Sequence, residues 1–271
     1  MKNTTNIWRL VLAVFVLIWG TVLAADDGGP DNRNACKDVP SFTALRTALK
    51  SVAPGANGGL GNNMWATVVN RDGVVCAVVF TGADRASQWP GSRVISAQKA
   101  NTANAFSLTK FALSTANLWA ATQPGGTLFG LQESNPVDTG AAYGGNSSNY
   151  GQPNDPLVGQ KIGGINVFGG GLALYDKTGV LVGGLGVSGD TSCTDHIVAW
   201  KTRFALNFDN VPAGVSSTGD DNMVNDLDPL LSGHTTAPSA GGFGHPTCDA
   251  TATSITAQLP APGHFPVGPN P

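Results

Sequence analysis

Apolar positions along this chain fall into short β-like runs that come in pairs, separated from stretches with a helical period. Ile165 to Tyr175 and Val180 to Val187 flank Asp176-Lys177-Thr178-Gly179, whose Asp and Gly suit a tight turn, so this stretch predicts a β-hairpin. Met64 to Val69 and Val74 to Phe80 flank Asn70-Arg71-Asp72-Gly73 in the same way and predict a second one. Phe42, Leu45, Leu49 and Val52 recur at helical spacing after Pro40-Ser41 and stop at Pro54-Gly55. From Ser92 to Thr122 breakers are few, which predicts two helices parted near Ser107. Thr194-Asp195 offers N-caps to a last helix, in which Ile197, Trp200 and Phe204 form an apolar stripe beside His196, Trp200 and Arg203.

The segments between are irregular. Gln123 to Gly164 is rich in Pro, Gly, Asn and Ser, a loop far longer than the usual connection of about 4–6 residues. Its Tyr143 and Tyr150 either lie over a ligand or pack the loop down, the second being the commoner use. Past Asn207 no period persists, and the tail from Asp209 to Pro271 reads as irregular; its His234, His245 and His264 could swing over a metal, but Gly-His and His-Pro contexts in such a segment read as incidental. At the other end, Lys2 and Arg9 flank a polar start, Leu10 to Ile18 is apolar throughout, and Val22-Leu23-Ala24 supplies small residues. This is the pattern of a secretory signal peptide cut after Ala24 or Ala25. The apolar run is short for the ~20 residues of a membrane span. The expected division is a signal peptide over 1–25, one domain over 36–208 and a Pro/Gly-rich tail over 209–271.

Composition narrows the choice. With 271 residues, 12% charged, 36 Gly and 17 Pro, the chain suits one core carrying long irregular segments. Its formal charge of -3 becomes -5 once Lys2 and Arg9 are removed. The pI of 5.7 and the lack of a basic run exclude a nucleic-acid partner. Export to the periplasm or beyond turns Cys36, Cys76, Cys193 and Cys248 into candidates for two disulfides. Three pairings are open; Cys36–Cys76 with Cys193–Cys248 is preferred because it anchors the tail. No two cysteines stand at the two- to four-residue spacing of a zinc–thiolate site.

Chemistry concentrates where the last strand gives way to the last helix. Alternation puts Gly184, Gly186 and Ser188 on one face of the strand and Leu185 and Val187 on the other. A glycine face admits either a flat guest or a closely packed helix, the second being the commoner use. Ser188-Gly189-Asp190 then brings backbone N–H groups and a helix N-terminus together, a place suited to an anion. His196 stands there, kept neutral by the helix dipole in the form that ligates metal. Three other motifs fail. Gly184 to Gly189 fits G-x-G-x-x-G, but a hairpin precedes it rather than a βαβ unit. Asp190 stands where a nucleophile elbow needs glycine. Ser188, Asp195 and His196 make a poor triad, because adjacent helix residues point apart. Asn146-Ser147-Ser148 fits a glycosylation acceptor, meaningful only in a host that glycosylates its exports.

Lys99-Ala100-Asn101-Thr102-Ala103, Asn166 to Asp176 and Gly183 to Trp200 together resemble the GlcG/HbpS haem-binding family. There a KAxTA helix precedes a Gly-rich strand, then GxIGVSG and an Asp a few residues on. The resemblance runs over about Ser41 to Leu206. It implies an α/β (α+β) fold, a profilin-like antiparallel five-stranded sheet backed by helices, assembled into homo-oligomers. It also implies haem as ligand, with a corrinoid the less favoured tetrapyrrole. Carried onto this chain, the cofactor site would comprise Gly186, Ser188, Gly189, Asp195 and His196, with Arg93, Lys99 or Arg203 on the propionates and His196 on the metal. The chain departs from the pattern in Phe80-Thr81-Gly82-Ala83-Asp84, where the family has RxDGA, in the long loop and in the tail. The expected function is an exported haem-binding protein for capture, sensing or storage. Runners-up are a haem-assisted redox or peroxidase-like enzyme and a secreted interaction module without cofactor.

Overall fold

The computed structural model describes residues 35–227 and 239–268. The predicted signal peptide and His234 lie outside them. Helix α1 (Phe42–Val52) is capped by Ser41, whose side chain accepts from Ala44 N. It leads to β1 (Trp65–Asn70) and β2 (Val75–Phe80), the first predicted hairpin. Then come α2 (Ser92–Ala105), two single-turn helices α3 (Trp119–Thr122) and α4 (Thr139–Tyr143), the second hairpin β3 (Gly171–Tyr175) and β4 (Leu181–Ser188), and α5 (Ser192–Ala205).

The four strands pair antiparallel in the order β2-β1-β4-β3. Both faces are covered, so the alternation along each strand separates two cores rather than a core from water. Trp65, Val69 and Phe80 pack with Val94, Ala97 and Ala100 of α2. Ala66, Val68, Leu185 and Val187 pack with Leu45 and Leu49 of α1 and Ile197 and Trp200 of α5. The fold class is the expected one, but the sheet has four strands, not five. Beyond β3 the chain leaving α5 makes one bridge, Tyr175 with Asp209, and Tyr175 N donates to Phe208 O. It then turns away before a ladder can form.

Three further expectations are corrected. The second helix expected before Thr122 is a 3-10 turn (Thr115–Leu118) running into α3. Ser107 Oγ bonds Leu113 N and O, and Asn117 Oδ1 accepts from Ser114 N, local bonds that compete with a helix ladder. The N-cap of α5 is Thr191, three residues before Thr194. The tail is also more ordered than expected. It contains β5 (Val224–Leu227) and β6 (Gly244–Pro246), a parallel pair, and α6 (Ala250–Gln258), and it buries Met223, Ala252 and Leu259 against α5. Disulfides join Cys36 to Cys76 and Cys193 to Cys248, the preferred pairing.

Candidate functional site

The junction between β4 and α5 is polar, buried and closed. A Cβ at Gly186 would run into Ser96 O of α2, one at Gly184 into Ala100 O, and one at Gly189 into Asn63 O. Gly184 and Gly186 therefore serve close helix-on-sheet packing, and the backbone of α2 takes the space that a flat guest would need. Ser188, 4% exposed, pairs with Trp65 in the ladder. The predicted anion place exists, but its occupant is internal: the Asp190 carboxylate accepts from Leu60 N at 2.8 Å, Asn62 N at 2.9 Å and Thr191 N at 2.6 Å.

The predicted charged residues do not converge. Lys99 Nζ lies 2.7 Å from Asp195 Oδ2 and donates to Val187 O at 3.1 Å, while Asp195 Oδ1 accepts from Asp190 N at 2.9 Å. Burial pushes the Asp195 carboxyl up to about 6, against the pull of the Lys99 charge. Arg93, on the α2 face of the sheet, forks onto Asp155, donates to Ala142 O at 2.9 Å and stacks on Tyr150 at 3.6 Å from the ring centroid. Arg203, on the α5 face, forks onto Asp221 at 2.6 and 2.8 Å. Each predicted propionate partner thus already faces an internal carboxylate. Tyr150 packs the long loop onto Arg93, and Tyr143 is exposed.

His196 is fully buried. Its Nε2 stands 3.1 Å from Asn222 Oδ1 and 3.1 Å from Met223 N, and its Nδ1 has no hydrogen-bond partner. Burial more than the helix dipole keeps the ring neutral, lowering its pKa to about 3. An imidazole suits iron in chemistry, yet this one is sealed among protein atoms. Among the described residues no three His, Cys, Asp or Glu side chains are grouped to hold a metal ion. A cavity of ≈ 320 Å³ opens elsewhere, between the 216–226 segment and α6. Its lining has no Lys, Arg or His, so it offers propionates no counter-charge. As folded, the predicted corner does not fit haem.

Sequence reasoning passed over Ser192 and set His245 aside, yet the two meet beside this corner. Ser192 Oγ lies 2.8 Å from His245 Nε2 and accepts from Gly169 N at 2.6 Å. His245 Nδ1 lies 2.7 Å from Pro246 O, and burial lowers its pKa to about 4. The Gly-His-Pro context read as incidental; the signal was Cys248, three residues on, whose bond to Cys193 brings the two segments together.

Comparison with curated proteins finds no match. Among solved structures, the PduOC–haem complex aligns at TM-score 0.42 with 24% identity, over 62% of this chain and 96% of that one. Protein ORFY of Klebsiella pneumoniae aligns at TM-score 0.42 with 22% identity, over 62% of this chain and 90% of that one. Residues 43–203 match the profile described as haem degrading protein HbpS-like, and by that match, which spans more than half of its length, the chain belongs to the HbpS-like family.

Proposed function

We propose that this protein binds haem or a related tetrapyrrole after export, and captures, senses or stores it. Membership of a family described as haem degrading HbpS-like carries the reading. Two disulfides, which persist in oxidising compartments, support export, as does the apolar N-terminal stretch. Of the predicted site residues, His196 is the one we assign to iron: its Nδ1 has no partner, and its Nε2 would be freed if the 222–223 segment moved aside. A haemin titration followed at the Soret band tests this: saturable binding supports the reading, and its loss in His196→Asn assigns the iron donor. No spectral change in wild type overturns the reading.

The word "degrading" in the family description favours a second reading, in which the protein consumes the haem it binds. Bleaching of the bound Soret band on addition of a reductant or peroxide, faster than for free haemin, would distinguish turnover from storage.

A further inference from the structure

Ser192 and His245 have the geometry of an activated nucleophile, and neither has a part in the reading above. The His245 ring is held by its neighbour: Nδ1–H donates to Pro246 O at 2.7 Å, which fixes the tautomer and leaves the Nε2 lone pair facing Ser192 Oγ at 2.8 Å. Hydroxyl, base and a third group orienting the base are the three parts that serine nucleophiles share on unrelated folds. A backbone carbonyl here fills the place that a carboxylate takes in a triad.

The surroundings stabilise negative charge on the serine oxygen. Gly169 N–H already donates to Oγ at 2.6 Å. Ser192 is the first residue of the fourteen-residue α5, so the positive end of the helix lies beneath it. Burial, with a smaller contribution from the Lys99 charge, lowers the His245 pKa and keeps the ring neutral. The Cys193–Cys248 disulfide pins the two segments together, one residue from the hydroxyl and three from the base. Ser192 itself is only partly buried, and the Trp119 ring flanks His245 at 6.1 Å between centroids.

We infer that Ser192 is a nucleophile activated by His245 toward small carboxylic esters, with Trp119 favouring an aromatic alcohol portion. In the acylation step Oγ bonds to the ester carbonyl carbon while its proton passes to Nε2. The carbon–oxygen bond to the alcohol then breaks, and that oxygen takes the proton from Nε2. Water, giving its proton to Nε2, attacks the acyl-serine and breaks the Oγ–acyl bond. The acid leaves, and the proton returns to Oγ.

The test treats the purified protein with a fluorophosphonate probe, locates the adduct by peptide mass spectrometry, and follows hydrolysis of 4-nitrophenyl acetate. The expected result is an adduct on Ser192, with labelling and hydrolysis falling at least a hundredfold in Ser192→Ala and in His245→Gln. Wild-type labelling alone decides the serine, so that result does not depend on a variant folding. Folded wild type without an adduct at Ser192 overturns the inference, and so does equal labelling of His245→Gln or, should that variant not fold, of His245→Asn. A protein that labels but binds no haemin keeps this inference and loses the haem reading.

Discussion

Two imidazoles, His196 and His245, are held neutral inside the protein by burial, with pKa values lowered to about 3 and about 4 from an ordinary 6.5. On unfolding both return to water and bind protons near 6.5, so their neutral burial contributes fully above that pH. The contribution is lost as pH falls from 6.5 toward 4. Between pH 6.5 and 5 each ring should remove about 1 kcal/mol of unfolding free energy per pH unit, and the Asp195 carboxyl, raised to about 6, opposes them by a similar amount toward pH 5. Urea unfolding at pH 7.5, 6 and 5 reads the net slope, and His245→Gln should remove most of it; an unchanged slope would show that the ring titrates normally. Lys99→Met should cost about 3–5 kcal/mol by leaving Asp195 buried without its cation, and adding Asp195→Leu should recover most of that. At this scale the sequence pointed to charged residues but not to their relations. Lys99 and Asp195 were both expected to hold a ligand, and they hold each other across 96 positions. Arg93 and Asp155 are 62 apart, a pairing that no local pattern encodes.

Hairpins and helices were legible because their periods are local: both predicted turns, and the capped start of α1, stand where the residues put them. The lost second helix shows where local reading fails, since the Ser107 and Ser114 hydroxyls bond nearby backbone and side-chain groups rather than leaving a helix ladder intact. The glycine strand was legible as a choice between a flat guest and a close helix, and α2 takes the space. Gly186→Ala should therefore push α2 off β4 and cost about 3 kcal/mol, the upper end of ordinary overpacking. A thermal melt checks it. An unshifted midpoint would mean that the helix can slide aside, which would reopen the corner as a ligand slot.

Across the whole molecule, the family match ends at residue 203 while the core continues. Met223, Ala252 and Leu259 complete one side of it, and none belongs to a periodic stretch that could have announced a burial role. The Cys193–Cys248 bond closes a separation of 55 residues, so Cys248→Ser should lower stability by roughly 4 kcal/mol on loop entropy. Denaturant unfolding with the other disulfide intact measures it; a change below about 1 kcal/mol would mean that packing alone holds the tail. The Arg203–Asp221 pair binds that tail more strictly still, because one partner stands at the last matched position and the other lies eighteen residues further on. A chain trimmed to the shared unit would keep a guanidinium in its interior with no carboxylate to answer it. Shortening and an apolar replacement at 203 would have to arrive together, so one fork of hydrogen bonds has turned an appendage into a part that the fold can no longer shed.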